Sequence, residues 1–271
     1  MFKLPTRALL LAGLLLLGFR SGILGAEWET TVTPFAPGTF PAPRPVAVKY
    51  SFGWNGISAG KGDLRFSQTP DGRFRFDATG GTFGLVRSLW DYDINHVAFS
   101  DMQTRPLHVQ ESEVVRSKQF TTELTFTPEG VTSVREERQG AEVKSKTRRF
   151  KFPNVLSLNS ALLYLRTQPL VDGSQHRIVV YPSTSAYLCT ITVVGRDRIT
   201  VPTGAYNAIK LDLQLTKISK KRELKPHKKF RKATVWLSDD ADRLVLRIEA
   251  KIFIGTVFAE LQAAEFENGK P

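Results

Sequence analysis

At 271 residues the chain suits one large domain or two small ones, and it is long enough for a substantial core. A single cysteine rules out an internal disulfide, and four histidines with no pair at i,i+2 or i,i+4 leave nothing resembling a zinc site. The formal net charge of +12 points toward anionic partners, but no aromatic-basic recognition motif accompanies it, so nucleic acid is not expected.

Residues 1–26 read as a secretory signal peptide: Lys3 and Arg7, twelve uncharged residues from Ala8 to Phe19, then Arg20 and small residues up to Ala26. The apolar run is shorter than the roughly 20 residues that span a bilayer. The expectation is an exported, periplasmic protein, soluble or peripheral to a membrane. Pro34, Pro37, Pro41, Pro43 and Pro45 make 27–45 an extended linker. One β domain is expected over 46–262, followed by a C-terminal tail, 263–271.

Within that domain, Val46, Val48, Tyr50, Phe52 and Trp54 alternate with smaller or polar residues, and Asn55-Gly56 is a strong hairpin signal. Leu64 and Phe66, then Phe74, Phe76 and Ala78 after Pro70-Asp71-Gly72, complete a three-stranded meander. Residues 80–90 break the alternation with about one helical turn. Strands resume over 92–99, 105–115 and 120–126. The convincing helix is 157–166, where Leu158, Leu162 and Leu165 share a face and Pro169 ends the run. Strands follow at 175–181, 186–194, 198–201 and 208–218.

Residues 233–261 hold two more strand patterns around the acidic turn Ser238–Asp242. Leu244, Leu246, Ile248, Ala250, Ile252 and Ile254 share one parity. Val257, Ala259 and Leu261 carry the other, and Gly255 at the switch predicts a β-bulge. The fold class is mainly all-β: an antiparallel, strongly curved sheet or open or closed β-barrel of about a dozen strands, with one short helix.

Chemistry is harder to place. Gly56-Ile57-Ser58-Ala59-Gly60 matches the serine-hydrolase pattern, with Asp172 and His176 or His227 available to Ser58. That chemistry needs a strand–turn–helix setting, whereas this stretch follows a hairpin signal and enters another strand. Asp91 and Asp93 fit an exposed strand face, and Asp239, Asp240 and Asp242 fit a solvated turn without calcium-loop spacing. Cys189 shares parity with Ile191 and Val193, as an inert buried thiol would. No catalytic residue, metal or cofactor is expected.

Two features suggest binding. Lys220, Lys221, Arg222, Lys225, Lys228, Lys229, Arg231 and Lys232 form a basic segment, either a solvated hairpin end or a surface for anionic lipid. Phe52, Trp54, Phe66, Phe74 and Phe76 form either core or the lining of a cavity for an apolar ligand inside a curved sheet.

The segments YSFGWNGISAG (50–60), SALLYLRTQPL (160–170), VPTGAYNAIKL (201–211), VWLSDDADRLVLRI (235–248) and IFIGTVFAEL (252–261) occur in this order. On them the chain resembles an exported bacterial family known as domain of unknown function 3108, DUF3108, over about residues 46 to 262. The resemblance implies an envelope protein with no established activity and no catalytic residues to carry over. It also implies a curved sheet similar to that of bacterial lipoprotein carriers of the LolA and LolB kind. The expected role is a non-enzymatic envelope protein holding an apolar or amphipathic, lipid-like ligand. The alternatives are a ligand-free interaction module and, remotely, a hydrolase using Ser58.

Overall fold

The structure is a computed structural model. It describes residues 27–41, 43–226, 230–252 and 255–267, with backbone alone at 230 and 231. The expected signal peptide, His227, Lys228 and Lys229 lie outside these residues, as does the side chain of Arg231.

The first half of the chain is one meander. Strands β1 (Val46–Trp54), β2 (Ile57–Gln68) and β3 (Phe74–Thr82) come first. The β1–β2 turn has Asn55 and Gly56 at φ 47° and 82°. Tight hairpins of this kind need positive φ at both central residues, which Asn-Gly tolerates. A short helix α1 (Gly84–Leu89) leads to β4 (Tyr92–Ser100), β5 (Pro106–Val115), β6 (Lys118–Thr127), β7 (Gly130–Gln139) and β8 (Glu142–Lys151).

After helix α2 (Leu158–Thr167), a second meander runs through β9 (Gln175–Val180), β10 (Tyr187–Val201) and β11 (Gly204–Ile218). It continues through β12 (Leu224–Pro226), β13 (Phe230–Ser238), β14 (Val245–Ile252) and β15 (Gly255–Phe266). The residues expected to form two strands at 186–194 and 198–201 form one, β10, with a register shift at Gly195.

All fifteen strands belong to one antiparallel sheet, ordered from β8 down to β1, then β15, β14, β13, β11, β10 and β9, with β12 on β11. The first and last long strands therefore meet mid-sheet, paired from Val46 opposite Phe266 to Trp54 opposite Val257 with a register shift between Lys49 and Tyr50. Two arms extend from that seam, and β8 and β9 are the ends of an open sheet. Leu124, Phe126 and Val131 of one arm pack with Val179, Leu188 and Ile218 of the other. Apolar contact thus rolls the sheet on itself without a closing ladder.

The expected bulge at Gly255 is corrected: the chain reverses there. Ile252 pairs with Gly255, and the register runs on to Arg247 opposite Glu260. Directly paired residues point to the same face. A reversal that pairs Ile252 with Gly255 therefore moves the apolar set from even to odd numbers just as one inserted residue would. Alternation alone does not distinguish the two.

The proline-rich segment is extended after a 3-10 turn at Glu27–Thr31, yet it is not a free tether. Trp28 is buried, stacks on Phe152 at 5.5 Å and donates its indole N–H to Arg222 O at 2.7 Å. Thr33 N donates to Arg177 O at 2.8 Å on the edge of β9, and Phe40 N to Thr167 O at 3.2 Å. Prolines forbid a continuous ladder, but N–H groups beside them still find acceptors, one on the edge of β9 and one at the end of α2. At the other end, β15 includes residues 263–266, which were expected as tail.

Helix α2 begins at Ser157, whose Oγ accepts from Ser160 N at 3.0 Å. Leu158, expected to share a face with Leu162 and Leu165, is exposed, whereas Leu165 is buried. The helix crosses the concave side and buries two flanks. Leu163 joins the cluster of Val46, Val48, Phe66 and Leu261, while Ala161, Tyr164 and Leu165 join that of Ile178, Ile191 and Leu211. A helix held between two walls needs apolar residues on more than one stripe.

Candidate functional site

A cleft of about 190 Å³ lies between α2 and the inner face of β1–β4, with β14 and β15 completing its wall. It is somewhat larger than a ~150 Å³ apolar cavity that binds benzene. Strand alternation builds it: the inward set includes Val48, Tyr50 and Phe52 of β1, Phe66 of β2, and Phe74 and Phe76 of β3. Of the five aromatic residues proposed from sequence, Phe52, Phe66, Phe74 and Phe76 line this space. Trp54 does not; it stands 42% exposed at the end of β1.

Phe66 and Phe74 are buried with ring centroids 5.5 Å apart. Phe52 is 39% exposed, and its ring lies over Gly62, where a Cβ would come within 2.8 Å of a ring carbon. A side chain at position 62 would therefore displace the Phe52 ring from its present place. Phe76 meets His96 edge-on at 6.3 Å. The ring of His96 in turn shares 2.9 Å and 3.2 Å hydrogen bonds with Asn159 of α2 and Glu111 of β5.

Part of the lining is cationic. Arg166, in the last turn of α2, is buried and donates one N–H to the carbonyl of Asp242. Burial pushes its pKa down to about 10, so it remains charged at neutral pH. Arg243 is buried at φ 43° and donates to Arg166 O at 2.6 Å and Gln168 O at 2.5 Å. It thereby satisfies carbonyls at the end of α2, and it stacks on Phe40 with 3.4 Å to the ring centroid. Tyr50 donates its hydroxyl to Val245 O at 2.6 Å, and burial raises its pKa.

Among the described residues neither Arg166 nor Arg243 has a carboxylate within salt-bridge distance. The carboxylate of Asp242 is held by Arg44 at 2.9 and 2.6 Å. That of Asp240 accepts from Ser238 and from the backbone N–H groups of Asp242 and Arg243. The acidic turn is therefore a self-capped connection between β13 and β14. Sequence reasoning passed over both arginines. The available signal was Arg166 at i+4 from Leu162 and i+3 from Leu163, a cation on an apolar helix face.

Other proposed positions have structural partners. Ser58 lies in β2, with its Oγ 2.7 Å from Ser51 Oγ, in no strand-to-helix turn. His176 packs edge-on against Tyr164 at 6.4 Å, and Asp172 pairs with Arg196. Arg87 holds Asp91 at 2.8 Å and Asp93 at 2.7 Å. Cys189 is buried, and burial pushes its thiol up to about 12, which keeps it protonated and inert. No cluster of three potential metal ligands occurs among the described residues.

The basic segment divides. Lys220, Lys221, Lys225 and Lys232 are exposed; Lys225 lies 3.6 Å from Glu223, and Lys232 lies 2.5 Å from Asp212. Arg222 is a cross-link instead: it binds Glu29 at 3.0 Å and Lys151 O at 2.6 Å. The segment resembled a uniform surface because sequence does not reveal contacts with residues nearly 200 positions away.

Among the described residues no helix is long and apolar enough to cross a membrane. The fold is similar to a crystal structure of a β-barrel-like protein of domain of unknown function DUF1849 from Brucella abortus. The TM-score is 0.59 at 7% identity, covering 84% of this chain and 99% of that one. A Bacteroides fragilis protein with a YmcC-like fold matches with TM-score 0.34 and 8% identity over 85% of this chain and 100% of its own. No curated protein matches the sequence significantly. Residues 49–262 match the family described as protein of unknown function, DUF3108, and the chain belongs to that family.

Proposed function

We propose that this chain is an exported, non-enzymatic envelope protein that binds an apolar or amphipathic ligand in the cleft beneath α2. The observation that carries the reading is the cleft itself: a space of about 190 Å³ walled by Phe52, Phe66, Phe74, Phe76 and Leu162 in a curved sheet. Export rests on the leader pattern of residues 1–26. The exposed Lys220 and Lys221 support approach to an anionic surface.

Native mass spectrometry of the mature protein purified from the periplasm, followed by organic extraction, tests the ligand. A discrete co-purifying apolar mass is expected. A bare protein mass, together with no uptake of a fluorescent apolar probe, contradicts the reading. For the surface, exchanging Lys220 and Lys221 for Glu should weaken binding to vesicles containing phosphatidylglycerol at low salt; unchanged binding contradicts it.

A second reading, a protein-interaction module, has its own observation. Leu85 and Leu89 on α1 are 87% and 75% exposed, beside Trp90 at 51%. Exchanging both leucines for Ser should then abolish partner capture while leaving ligand uptake intact.

A further inference from the structure

Among the described residues three charged ones line the cleft, Arg75, Arg166 and Arg243, and none of the lining residues is acidic. Arg75 is occupied: it makes a two-pronged pair with Asp77 at 2.8 and 2.7 Å. Arg243 spends its Nη1 on two α2 carbonyls and covers Phe40. Arg166 is different. Among the described residues it has one hydrogen bond, to a backbone carbonyl, although a guanidinium carries five N–H donors.

A buried guanidinium beside apolar walls is costly unless its charge is compensated. The nearby carboxylates are committed elsewhere, Asp242 to Arg44 and Asp240 to its own turn. Asp242 and Asp240 act on Arg166 only from beyond salt-bridge distance, so among the described residues this cleft-lining guanidinium has no ion-pair partner and keeps N–H donors unspent. An anion entering there would gain a charge-assisted contact, and the apolar walls would reject a charged group without a tail.

Size narrows the ligand further. A space of about 190 Å³ accommodates a single acyl chain in part, and not the several chains of a diacyl or triacyl lipid. We propose that the cleft takes a single-chain anionic amphiphile, with its carboxylate or similar small anionic head on Arg166 and its chain against Phe66, Phe74 and Leu162. This assignment rests on the cleft-binding reading above and adds the head group and the chain number.

The test uses twelve-carbon probes below their micelle concentrations, each displacing N-phenyl-1-naphthylamine from the mature protein: dodecanoate, dodecanol and dodecyltrimethylammonium. Dodecanoate should bind roughly ten- to a hundredfold more tightly than dodecanol, as one hydrogen bond to a charged group provides, and the cationic probe weakest. Arg166→Gln should reduce dodecanoate to the affinity of dodecanol, and Arg166→Lys should retain part of the preference.

Equal binding of the three probes by the unmodified protein overturns the head-group assignment while the cleft reading stands. That comparison needs no variant, so it decides the matter even if Arg166→Gln fails to fold. A dodecanoate preference that persists in folded Arg166→Gln also overturns it. If no probe binds, the cleft reading fails and the assignment fails with it.

Discussion

The concave face of the sheet carries two unlike surfaces on the same strands. Toward the β2–β3 turn, β4–β7 present Ala98, Val109, Leu124, Phe126 and Val131, all buried. Toward the opposite end, the same alternation presents Tyr92, Glu111, Glu113, Arg135 and Glu137. There Arg135 binds Glu113 at 2.9 Å and Thr122 at 2.8 Å, Tyr92 donates to Glu113 at 3.1 Å, and Lys118 reaches Glu137 at 2.6 Å. Alternation decides which face a residue occupies, and coverage decides its polarity. Apolar residues stand where the other arm or α2 lies over the sheet, and ions stand where water remains within reach. The cleft belongs to the covered surface.

The largest effect should come from the apolar half. Phe74→Ala removes a buried ring and should cost about 3 kcal/mol or more in urea unfolding. Arg135→Met, in the ionic half, leaves Glu113 without its cation and should cost about 1–2 kcal/mol. Similar losses from the two would dissolve the distinction drawn between the halves.

Alkaline titration sharpens it. Burial raises the pKa of Tyr50; burial, and after it the charge of Glu113, raises that of Tyr92. A folded pKa above the unfolded value of about 10 means that each tyrosine's contribution is complete below pH ~10. That contribution is lost as pH rises toward the folded value. Tyr50→Phe and Tyr92→Phe should each flatten the fall in stability above pH ~10. Added salt should diminish the Tyr92 contribution, to which the charge of Glu113 adds, and should not diminish that of Tyr50, where the charge of Arg166 opposes the shift.

Smaller still, Ser157→Ala removes the cap of α2 and should cost about 1 kcal/mol. Exchanging the exposed Lys220 and Lys221 for Glu should change stability by less than about 0.5 kcal/mol, whatever it does to vesicle binding. A larger loss would mean that these lysines hold the fold together as Arg222 does.

Much of this was legible in the sequence, and the gaps have physical causes. The alternation of Val48, Tyr50 and Phe52 and the Asn55-Gly56 turn carried the first meander, because strand period and hairpin backbone are local properties. The pairing of β1 with β15 was not legible: alternation records a face and never a partner. Gly255 misled for a related reason, since a turn and a bulge both shift parity by one. In the site, the aromatic lining could be read from β1–β3. The roles of Arg166 and Arg243 depend on how the end of α2 meets the β13–β14 turn, a contact between residues more than 70 positions apart.

The most direct test of the central claim fills the cleft. Leu162 is a half-buried cleft residue on α2, and Leu162→Trp would place a larger ring there. N-phenyl-1-naphthylamine should bind the unmodified protein saturably at one site, and the variant at least tenfold more weakly with its melting temperature retained. Undiminished one-site binding by the folded variant would contradict the account, because the ligand would then be held outside the cleft.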